Sequence, residues 1–407
     1  MNKKMVFPNK ISYFFQIKYC ISNNTLTFML ALTNVRVFTG DTVLTNHAVL
    51  LKNERIEAVL PKNQLPANYQ SIDLQGQDIT AGFLDIQLYG GDTDFFVQDL
   101  SAASLQNMVN THLQDGTTSL MPTLYSTTQT RILKAIEIVK KWIAAGKTGV
   151  LGLHIEGPYL NFAKRGAHSA AVVRPPVEAE LTEIIAQSEG LLTLMTIAPE
   201  IWPVELLQLL QKSHLLLSMG HTNATYQQAK GYFEGGIKMA THLYNAMRPF
   251  ESREPGVVGA IFDAPDDVHA SIIADGFHCD FAAIRLAKKI LGARLFLISD
   301  ATFAKYQQTR FEFEGFSANY DGQRFLNDDG NLAGSAITLL QAVQNCVFEV
   351  GIPKDEAFRM AAQYPAQRLG LGHRLGQIKA GYQADLVVLG QDLTIKKVFV
   401  KGQEVRI

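Results

Sequence analysis

The 407-residue sequence has little that would mark a disulfide-linked, membrane-bound or nucleic-acid-binding protein. Its three cysteines, Cys20, Cys279 and Cys346, are too few and too scattered for a disulfide framework or a thiolate zinc site. The formal net charge is −1, which gives no basic surface for nucleic acid or acidic lipid. No apolar run reaches the roughly 20 residues that a helix needs to cross a bilayer. The composition therefore favours a globular protein of the reducing cytoplasm.

The first 28 residues also lack a recognisable targeting signal. In "MNKKMVFPNKISYFFQIKYCISNNTLTF" polar residues interrupt each apolar stretch, and no small-residue cleavage site follows. The next segment, "MLALTNVRVFTG", has the alternation of a first strand. We predict that residues 1–28 are an upstream extension or a disordered tail, and that Met29 is the natural initiator.

Apolar residues and turn signals follow two kinds of pattern along the chain. Residues 31–79 alternate short apolar runs with turn signals, and the C-terminal segment "LGQIKAGYQADLVVLGQDLTIKKVFVKGQEVRI" does the same. Between them, strand-like runs alternate with helical stretches such as "RILKAIEIVKKWIAAG", a pattern typical of parallel βα units. We therefore predict a small β-sandwich from residues 29–80 and 378–407, and a catalytic domain over residues 81–377.

The central segment contains eight strand candidates over roughly 300 residues, the number that an α/β TIM barrel requires. They are "TAGFLDIQL", "TTSLMPTL", "VLGLHIEG", "LLTLMTIAPE", "LLLSMGHT", "GIKMATHLYN", "VHASIIADGFH" and "LFLISDAT". The C-terminal ends of barrel strands meet at one rim, where the chemistry of such proteins lies.

Ionisable residues occur at several of these predicted strand ends. Any one histidine could be structural, but ionisable groups placed repeatedly at one rim are costly to desolvate unless they bind something. Imidazole and carboxylate together suit zinc or a similar divalent ion. The residues concerned are His154, Glu156, His221, His242, His278 and Asp300.

Several longer motifs carry a family resemblance. "AGFLD" and "AGYQADLVVL" resemble motifs of the amidohydrolase superfamily. "GLHIEGPYLNFAKRGAHS", "MGHTNATY", "THLYNAMRPFESREPG", "ADGFHCD" and "LISDAT" resemble, in order, those of the N-acetylglucosamine-6-phosphate deacetylase family, from about Met29 to the C-terminus. The fold of that family, a barrel with a β-sandwich, agrees with the independent strand count.

The resemblance implies roles for individual residues. It implies that Glu156, His221 and His242 bind the metal, that Asp300 is the catalytic aspartate, and that His168 polarises the substrate amide. The positions that it implies for substrate binding are Ala167, His168, Asn245, Ala246, Arg253, His278, Leu332, Ala333 and Gly334. From their chemistry we expect Asp275 to orient a neighbour and Cys279 to act as a small apolar residue.

One position departs from the superfamily pattern. Where many amidohydrolases have H-x-H on the first strand to hold a second metal, this chain has Gln87-Leu88-Tyr89. Glutamine and tyrosine are poor replacements for two neutral imidazoles, and part of the family is thought to use one metal. We therefore predict one divalent ion per chain, Zn²⁺ before other divalent ions, with Gln87 and Tyr89 lining the pocket.

The resulting prediction is hydrolysis of N-acetyl-D-glucosamine 6-phosphate to D-glucosamine 6-phosphate and acetate, in amino-sugar catabolism. Two alternatives stay open: a deacetylase for N-acetylgalactosamine 6-phosphate, or an inactive relative that senses sugar phosphates. Asp300 argues against the sensor, since a pure binder has no use for a proton shuttle. The partner expected is a small amino-sugar phosphate, without nucleic acid or membrane. The family resemblance further implies a homodimer or higher homo-oligomer in which Arg253 could act across the interface.

Overall fold

The computed structural model describes residues 20–22, 25–304 and 310–406. The predicted extension at residues 1–28 therefore lies mostly outside the described residues. Two short strands in it, β1 (Cys20–Ser22) and β2 (Thr25–Thr27), pair antiparallel. The backbone N–H of Phe28 donates to Asn53 Oδ1 at 3.1 Å, and its ring packs on the sheet that follows. Across the described ranges, no helix is long and apolar enough to cross a membrane.

The N-terminal part continues with four strands, which are β3 (Met29–Phe38), β4 (Val43–Lys52), β5 (Arg55–Pro61) and β6 (Gln70–Ala81). In β3, Leu30 and Leu32 enter one apolar cluster, whereas Ala31 between them enters another. This alternation arises because successive side chains of a strand point to opposite faces. The short turn between β4 and β5 holds Asn53 at φ 53°, a left-handed conformation that asparagine tolerates in tight hairpins.

Eight parallel strands form the next sheet and are hydrogen-bonded to each other in sequence order. They are β7 (Phe83–Leu88), β8 (Thr117–Leu124), β9 (Leu153–Glu156), β10 (Thr193–Ile197), β11 (Leu216–Met219), β12 (Met239–Ala240), β13 (His269–Ile273) and β14 (Leu295–Ile298). The sheet closes because Tyr89 N donates to Ala301 O at 2.8 Å and Asp300 N donates to Gln87 O at 2.9 Å. The predicted eight-stranded TIM barrel is thereby confirmed.

Helices connect successive barrel strands. They are α1 (Phe96–Asp99), α2 (Ala102–Leu113), α3 (Gln129–Ala144), α4 (Glu178–Gln187), α5 (Val204–Gln211), α6 (Tyr226–Glu234), α7 (Gly256–Phe262) and α8 (Phe281–Leu291). In α3, Ile132, Ile136 and Val139 are buried while Lys134 and Lys141 are exposed. This spacing of three and four residues places the apolar side chains on the face that packs on the barrel.

A small antiparallel sheet is inserted after the last barrel strand, in a region where the sequence analysis predicted no strands. It contains β15 (Arg310–Phe313), β16 (Phe316–Tyr320) and β17 (Phe325–Leu326). Phe316 stacks on Phe95 of the barrel, with ring centroids 5.4 Å apart, and meets Tyr125 edge-on at 4.5 Å. The inserted sheet is therefore attached to the barrel by aromatic packing.

The remaining elements lead back to the N-terminal sheet. They are α9 (Leu339–Asn345), α10 (Lys354–Phe358), α11 (Tyr364–Arg368), β18 (Leu386–Leu389), β19 (Ile395–Val400) and β20 (Gln403–Val405). One π-helical turn, Cys346–Val350, follows α9 and another, Arg359–Gln363, joins α10 to α11.

Strands from both chain ends form one seven-stranded sheet, in the order β20-β19-β18-β6-β3-β4-β5. The sheet curls, because the β5 residue Ile56 donates its N–H to Tyr382 O at 2.9 Å and accepts from Gly381 N at 2.8 Å. Ile56 and Phe399, from opposite parts of the sheet, meet in the same apolar cluster. This sheet agrees with the prediction that both chain ends contribute to one β domain.

Candidate active site

The carboxyl ends of the barrel strands surround a cavity of about 540 Å³. Most of the residues predicted from the sequence line it, namely Tyr89, Ala167, His168, His221, His242, Asn245, Ala246, His278, Asp300, Leu332 and Gly334. Glu156 and Gln87 lie behind this lining and are each about 1% exposed. Ala333 and Arg253, which were also predicted, are not among the described residues that line the cavity. Ala333 is buried, whereas Arg253 is exposed.

Three side chains converge at the floor of the cavity. Glu156 ends β9, whereas His221 and His242 follow β11 and β12 by two residues. Glu156 Oε1 lies 3.2 Å from His221 Nε2 and 3.0 Å from His242 Nε2, and the two nitrogens are 3.1 Å apart. Three ligand atoms bound at about 2.0–2.2 Å around one tetrahedral zinc ion are separated by roughly 3.3 Å. The spacing of this trio therefore fits a single divalent ion.

The hydrogen bond of one of the two imidazoles agrees with this fit. His221 Nδ1 lies 2.9 Å from the carbonyl oxygen of Lys164, so Nδ1 donates, and in the neutral ring the lone pair lies on Nε2. Within the described part of the chain, His242 Nδ1 is buried without a hydrogen-bond partner. Burial lowers the pKa of His242, and hydrogen bonds with His221 and His242 hold the pKa of Glu156 well below its usual range although burial acts against them. A neutral imidazole and a carboxylate are the forms that bind metal.

The backbone at the floor is strained. His221, His242 and Asp300 have φ angles of 48°, 38° and 54°, which lie in the left-handed region. Such a conformation costs a residue other than glycine about 1–3 kcal/mol and persists only where the surrounding structure imposes it. Strain at three neighbouring strand ends indicates that these side chains are held for a task other than stability.

His168 offers an alternative member of the metal group. Glu156, His168 and His221 have ligand atoms that all lie within 4.8 Å of one another. His168 Nε2 is however 3.8 Å from the Glu156 carboxylate. The corresponding distances for His221 Nε2 and His242 Nε2 are shorter, at 3.2 and 3.0 Å. Burial and the neighbouring His221 lower the pKa of His168 well below its usual value. The tighter trio, with His242, is the better set of ligands.

Gln87 and Tyr89 bridge two carboxylates at the floor. Gln87 Nε2 lies 3.0 Å from Glu156 Oε1 and 2.8 Å from Asp300 Oδ1. Tyr89 donates its hydroxyl proton to Glu156 Oε2, and its oxygen lies 3.2 Å from Asp300 Oδ1. Burial and the Glu156 charge raise the pKa of Asp300 well above its usual range. Two neutral donors thus occupy the place where H-x-H would hold a second cation, and they do more than line the pocket.

The segment that follows β13 holds His278 at the cavity wall. Asp275 Oδ2 lies 2.6 Å from His278 Nδ1, while Asp275 Oδ1 accepts the backbone N–H groups of Phe277 and His278 at 2.9 and 2.8 Å. These bonds keep the pKa of Asp275 below its usual value, although burial acts to raise it. Asp275 therefore fixes the ring of His278. Cys279 is a buried free thiol 3.5 Å from Asn245 Nδ2.

Further residues at the cavity wall had not been singled out from the sequence. They are Tyr125, Phe162, Ala163, Lys164, Arg165, Gly166, Ile273 and Asn331. The motif "NFAKRGAHS" that contains five of them was noted only for Ala167 and His168, yet its two cations would have pointed to an anionic substrate. Arg165 donates to His168 O at 2.9 Å and so anchors the backbone of that residue.

Comparison with known proteins identifies the family. The model of the amidohydrolase family matches residues 79–405, and that of the NagA composite domain matches residues 29–79. The chain therefore belongs to the amidohydrolase family. Within that family it is similar to the N-acetylglucosamine-6-phosphate deacetylase of Haemophilus influenzae, with 37% identity over 92% of this chain and 98% of the relative. The resemblance inferred from the motifs is confirmed.

Two further relatives, both named as deacetylases of amino-sugar phosphates, are similar over most of the chain. The N-acetylgalactosamine-6-phosphate deacetylase of Shewanella sp. is 32% identical over 92% of this chain and 96% of its own length. The crystal structure of N-acetylglucosamine-6-phosphate deacetylase from Pasteurella multocida superposes with a TM-score of 0.88 at 36% identity, covering 93% of this chain and all of that chain. The chain thus spans almost the full length of the relatives that it matches.

Proposed function

We propose that this enzyme hydrolyses the acetamide of N-acetyl-D-glucosamine 6-phosphate to D-glucosamine 6-phosphate and acetate, a step of amino-sugar catabolism. The observation that supports this most strongly is the arrangement at the cavity floor. The buried carboxyl group of Asp300 shares the Gln87 Nε2 donor with Glu156, which belongs to a trio of ligand atoms spaced for one divalent ion. A proton acceptor next to a metal group is what hydrolysis of an unactivated amide requires.

Glu156, His221 and His242 would hold the ion, which we infer to be Zn²⁺, one per chain. A carboxylate with two imidazoles is a ligand set of catalytic zinc sites, although other divalent ions use the same ligand types. When bound, such an ion lowers the pKa of a coordinated water toward neutrality and polarises a carbonyl oxygen.

Asp300 would transfer the proton. It accepts one proton from the attacking water as the new carbon–oxygen bond forms, and gives that proton to the amine nitrogen as the carbon–nitrogen bond breaks. Gln87 Nε2, 2.8 Å from Asp300 Oδ1, orients the carboxyl group during both transfers. His168 would donate a hydrogen bond to the carbonyl oxygen as negative charge develops there.

The sugar phosphate would bind at the outer wall. His278, fixed by Asp275, supplies one contact, and Asn245 and Ala246 line the neighbouring wall. We infer that Arg253 binds the phosphate from a second copy of the chain, in a homodimer or larger homo-oligomer, because it is exposed outside the cavity of its own chain. A guanidinium donates in a geometry that matches phosphate oxygens. We also infer a cytoplasmic location, since Cys279 and Cys346 are buried free thiols.

N-Acetylgalactosamine 6-phosphate is the second candidate substrate. It is favoured by the relatives from Shewanella sp. and Escherichia coli O157:H7, which are named as deacetylases of that sugar phosphate and are 32% and 30% identical to this chain. The two sugars differ at one hydroxyl group, and the same floor chemistry would serve both.

The test is acetate release by the purified, zinc-loaded chain on both sugar phosphates, together with metal analysis of the same preparation. We expect a higher kcat/KM for N-acetylglucosamine 6-phosphate and one ion per chain. A higher kcat/KM for N-acetylgalactosamine 6-phosphate would replace the first substrate by the second. Tight binding of both sugars without acetate release would replace the enzyme by a sensor.

A further inference from the structure

Two residues at the end of the second barrel strand contact His168. Tyr125 and Ser126 directly follow β8, and neither carries a charge. The backbone nitrogen of Ser126 lies 3.3 Å from His168 Nδ1, and Ser126 Oγ lies 2.6 Å from the same atom. Both contacts are directed at Nδ1, and Ser126 Oγ also lies 3.5 Å from the backbone carbonyl oxygen of Glu156.

These contacts determine which ring nitrogen carries the proton. A backbone N–H can only donate, so Nδ1 of His168 must be the acceptor. The hydroxyl of Ser126, at 2.6 Å from an atom that has no proton, must then donate as well. The proton of the ring therefore lies on Nε2, the nitrogen 3.8 Å from Glu156 Oε2.

His221 has the opposite arrangement. Its Nδ1 faces the carbonyl oxygen of Lys164, which can only accept, and so the neutral ring has its proton on Nδ1 and none on Nε2. Two histidines whose rings meet edge-on with centroids 4.5 Å apart are thus held in opposite tautomers by backbone groups. One tautomer suits a metal ligand, and the other suits a hydrogen-bond donor to a substrate oxygen.

Tyr125 fixes the plane of the His168 ring. The two rings stack with centroids 3.7 Å apart and planes at 14°. Tyr125 is itself held edge-on by Phe316 of the inserted sheet. Close approach of Ser126 depends on Gly157, where a Cβ would lie 2.2 Å from Ser126 Oγ and where φ is +78°. The inserted sheet therefore supports the Tyr125 contact with His168, and the glycine after β9 permits the Ser126 contact.

We propose that Tyr125 and Ser126 are positioning residues that hold His168 as the tautomer with its proton on Nε2, directed at the oxygen of the substrate amide. The inference rests on the proposed function, because it assigns a purpose to the tautomer in amide hydrolysis. Neither residue touches the reacting atoms in this role. Both act through His168.

The decisive measurement is the tautomer of His168 in the zinc-loaded wild-type protein, read by NMR from isotope-labelled histidine ring nitrogens. The His168→Gln variant identifies the signal by its absence. We expect the proton on Nε2. A proton on Nδ1 would overturn the proposal, whether or not the protein releases acetate. Because the spectrum needs no turnover, failure of this inference is distinguishable from failure of the proposed function.

Two variants test the residues separately. Ser126→Ala should shift the tautomer population toward Nδ1–H and lower kcat about tenfold, with KM and zinc content retained. The kcat of Tyr125→Leu should be at least about fivefold lower than that of Tyr125→Phe, because phenylalanine keeps the stacked ring. Equal kcat values for the Leu and Phe variants would remove Tyr125 from the proposal. An unchanged tautomer and kcat in Ser126→Ala would remove the Ser126 hydroxyl from the proposal, because this variant keeps the backbone N–H.

Discussion

The floor and the rim of the cavity are built differently. At the floor, Glu156, His221, His242 and Asp300 are at most 6% exposed, and Glu156 is hydrogen-bonded to both histidines and to donors from β7. At the rim, Phe162 is 61% exposed. Asn331 at the rim is exposed as well, and so is Arg253, which lies outside the cavity. One chain therefore contains all of the groups for the proposed chemistry in a buried floor, whereas the rim is open to solvent.

Replacing the proton acceptor at the cavity floor should have the largest effect on turnover. Asp300→Asn keeps the shape of the side chain and can still accept the hydrogen bond from Gln87, but it cannot take a proton from water. We expect kcat to fall by about 100-fold or more. Acetate release, zinc content and substrate affinity are measured on one preparation. Turnover near the wild-type value with zinc bound would show that Asp300 is not the proton acceptor.

Removing a ligand from the floor should release the ion. His221→Ala and His242→Ala each delete one of three ligand atoms, and elemental analysis after dialysis should find the single ion lost from both. His168→Gln is the matched control, because it removes a third imidazole of the same cavity and should keep the ion. Loss of the ion from the control, or two ions in the wild type, would contradict the one-ion site.

A smaller loss is expected when a neighbour of the ligands is changed. Tyr89→Phe deletes the hydroxyl that donates to Glu156 Oε2 while the ring keeps its packing on Tyr125. Removing such a hydrogen bond lowers metal affinity by about 10–100-fold in comparable sites. Competition with a chelator measures the change. Unaltered affinity would show that Tyr89 only fills space.

Replacing Arg253, which is exposed outside the cavity, should affect substrate binding and leave the chemistry unchanged. Arg253→Ala is expected to raise KM for the sugar phosphate by about tenfold or more, since a hydrogen bond to a charged group contributes about 1.5–3 kcal/mol. The value of kcat should be kept. Unphosphorylated N-acetylglucosamine is the control substrate, and its kcat/KM should not change. Equal losses on both substrates would argue against a phosphate contact.

The smallest effect is expected far from the cavity. Deletion of residues 1–27 keeps Phe28, whose backbone is hydrogen-bonded to Asn53, and should shift Tm by no more than about 2 °C. Turnover should be retained. Deletion of residues 1–28 is the matched comparison, because it also removes the packing of Phe28. A large drop in Tm for the shorter deletion would assign a structural role to the extension.

The contrast between floor and rim also explains what could be predicted from the sequence. Glu156, His221, His242 and Asp300 each follow an apolar run, and a parallel barrel must bring such strand ends together. Tyr125 and Ser126 stand at an equivalent strand end but are neutral, so nothing in their chemistry singled them out. The motif that contains Arg253 implied a phosphate contact, yet whether that residue reaches the cavity depends on the fold, and in this structure it is exposed and does not line the cavity. Residues 310–326 interrupt the βα rhythm, and the alternation in "RFEFEGFSANY" around its glycine, which is typical of a hairpin, was not used.

The pairing of β6 with β18 has a consequence for how the protein is made. A ribosome completes β6 about 300 residues before it reaches β18, which at about 5–20 residues per second leaves the β6 edge without its partner for roughly 15–60 s. An unpaired strand edge can recruit strands from other nascent chains. The N-terminal sheet is therefore synthesised first but completed last, and its β6 edge can pair with other chains until β18 is made.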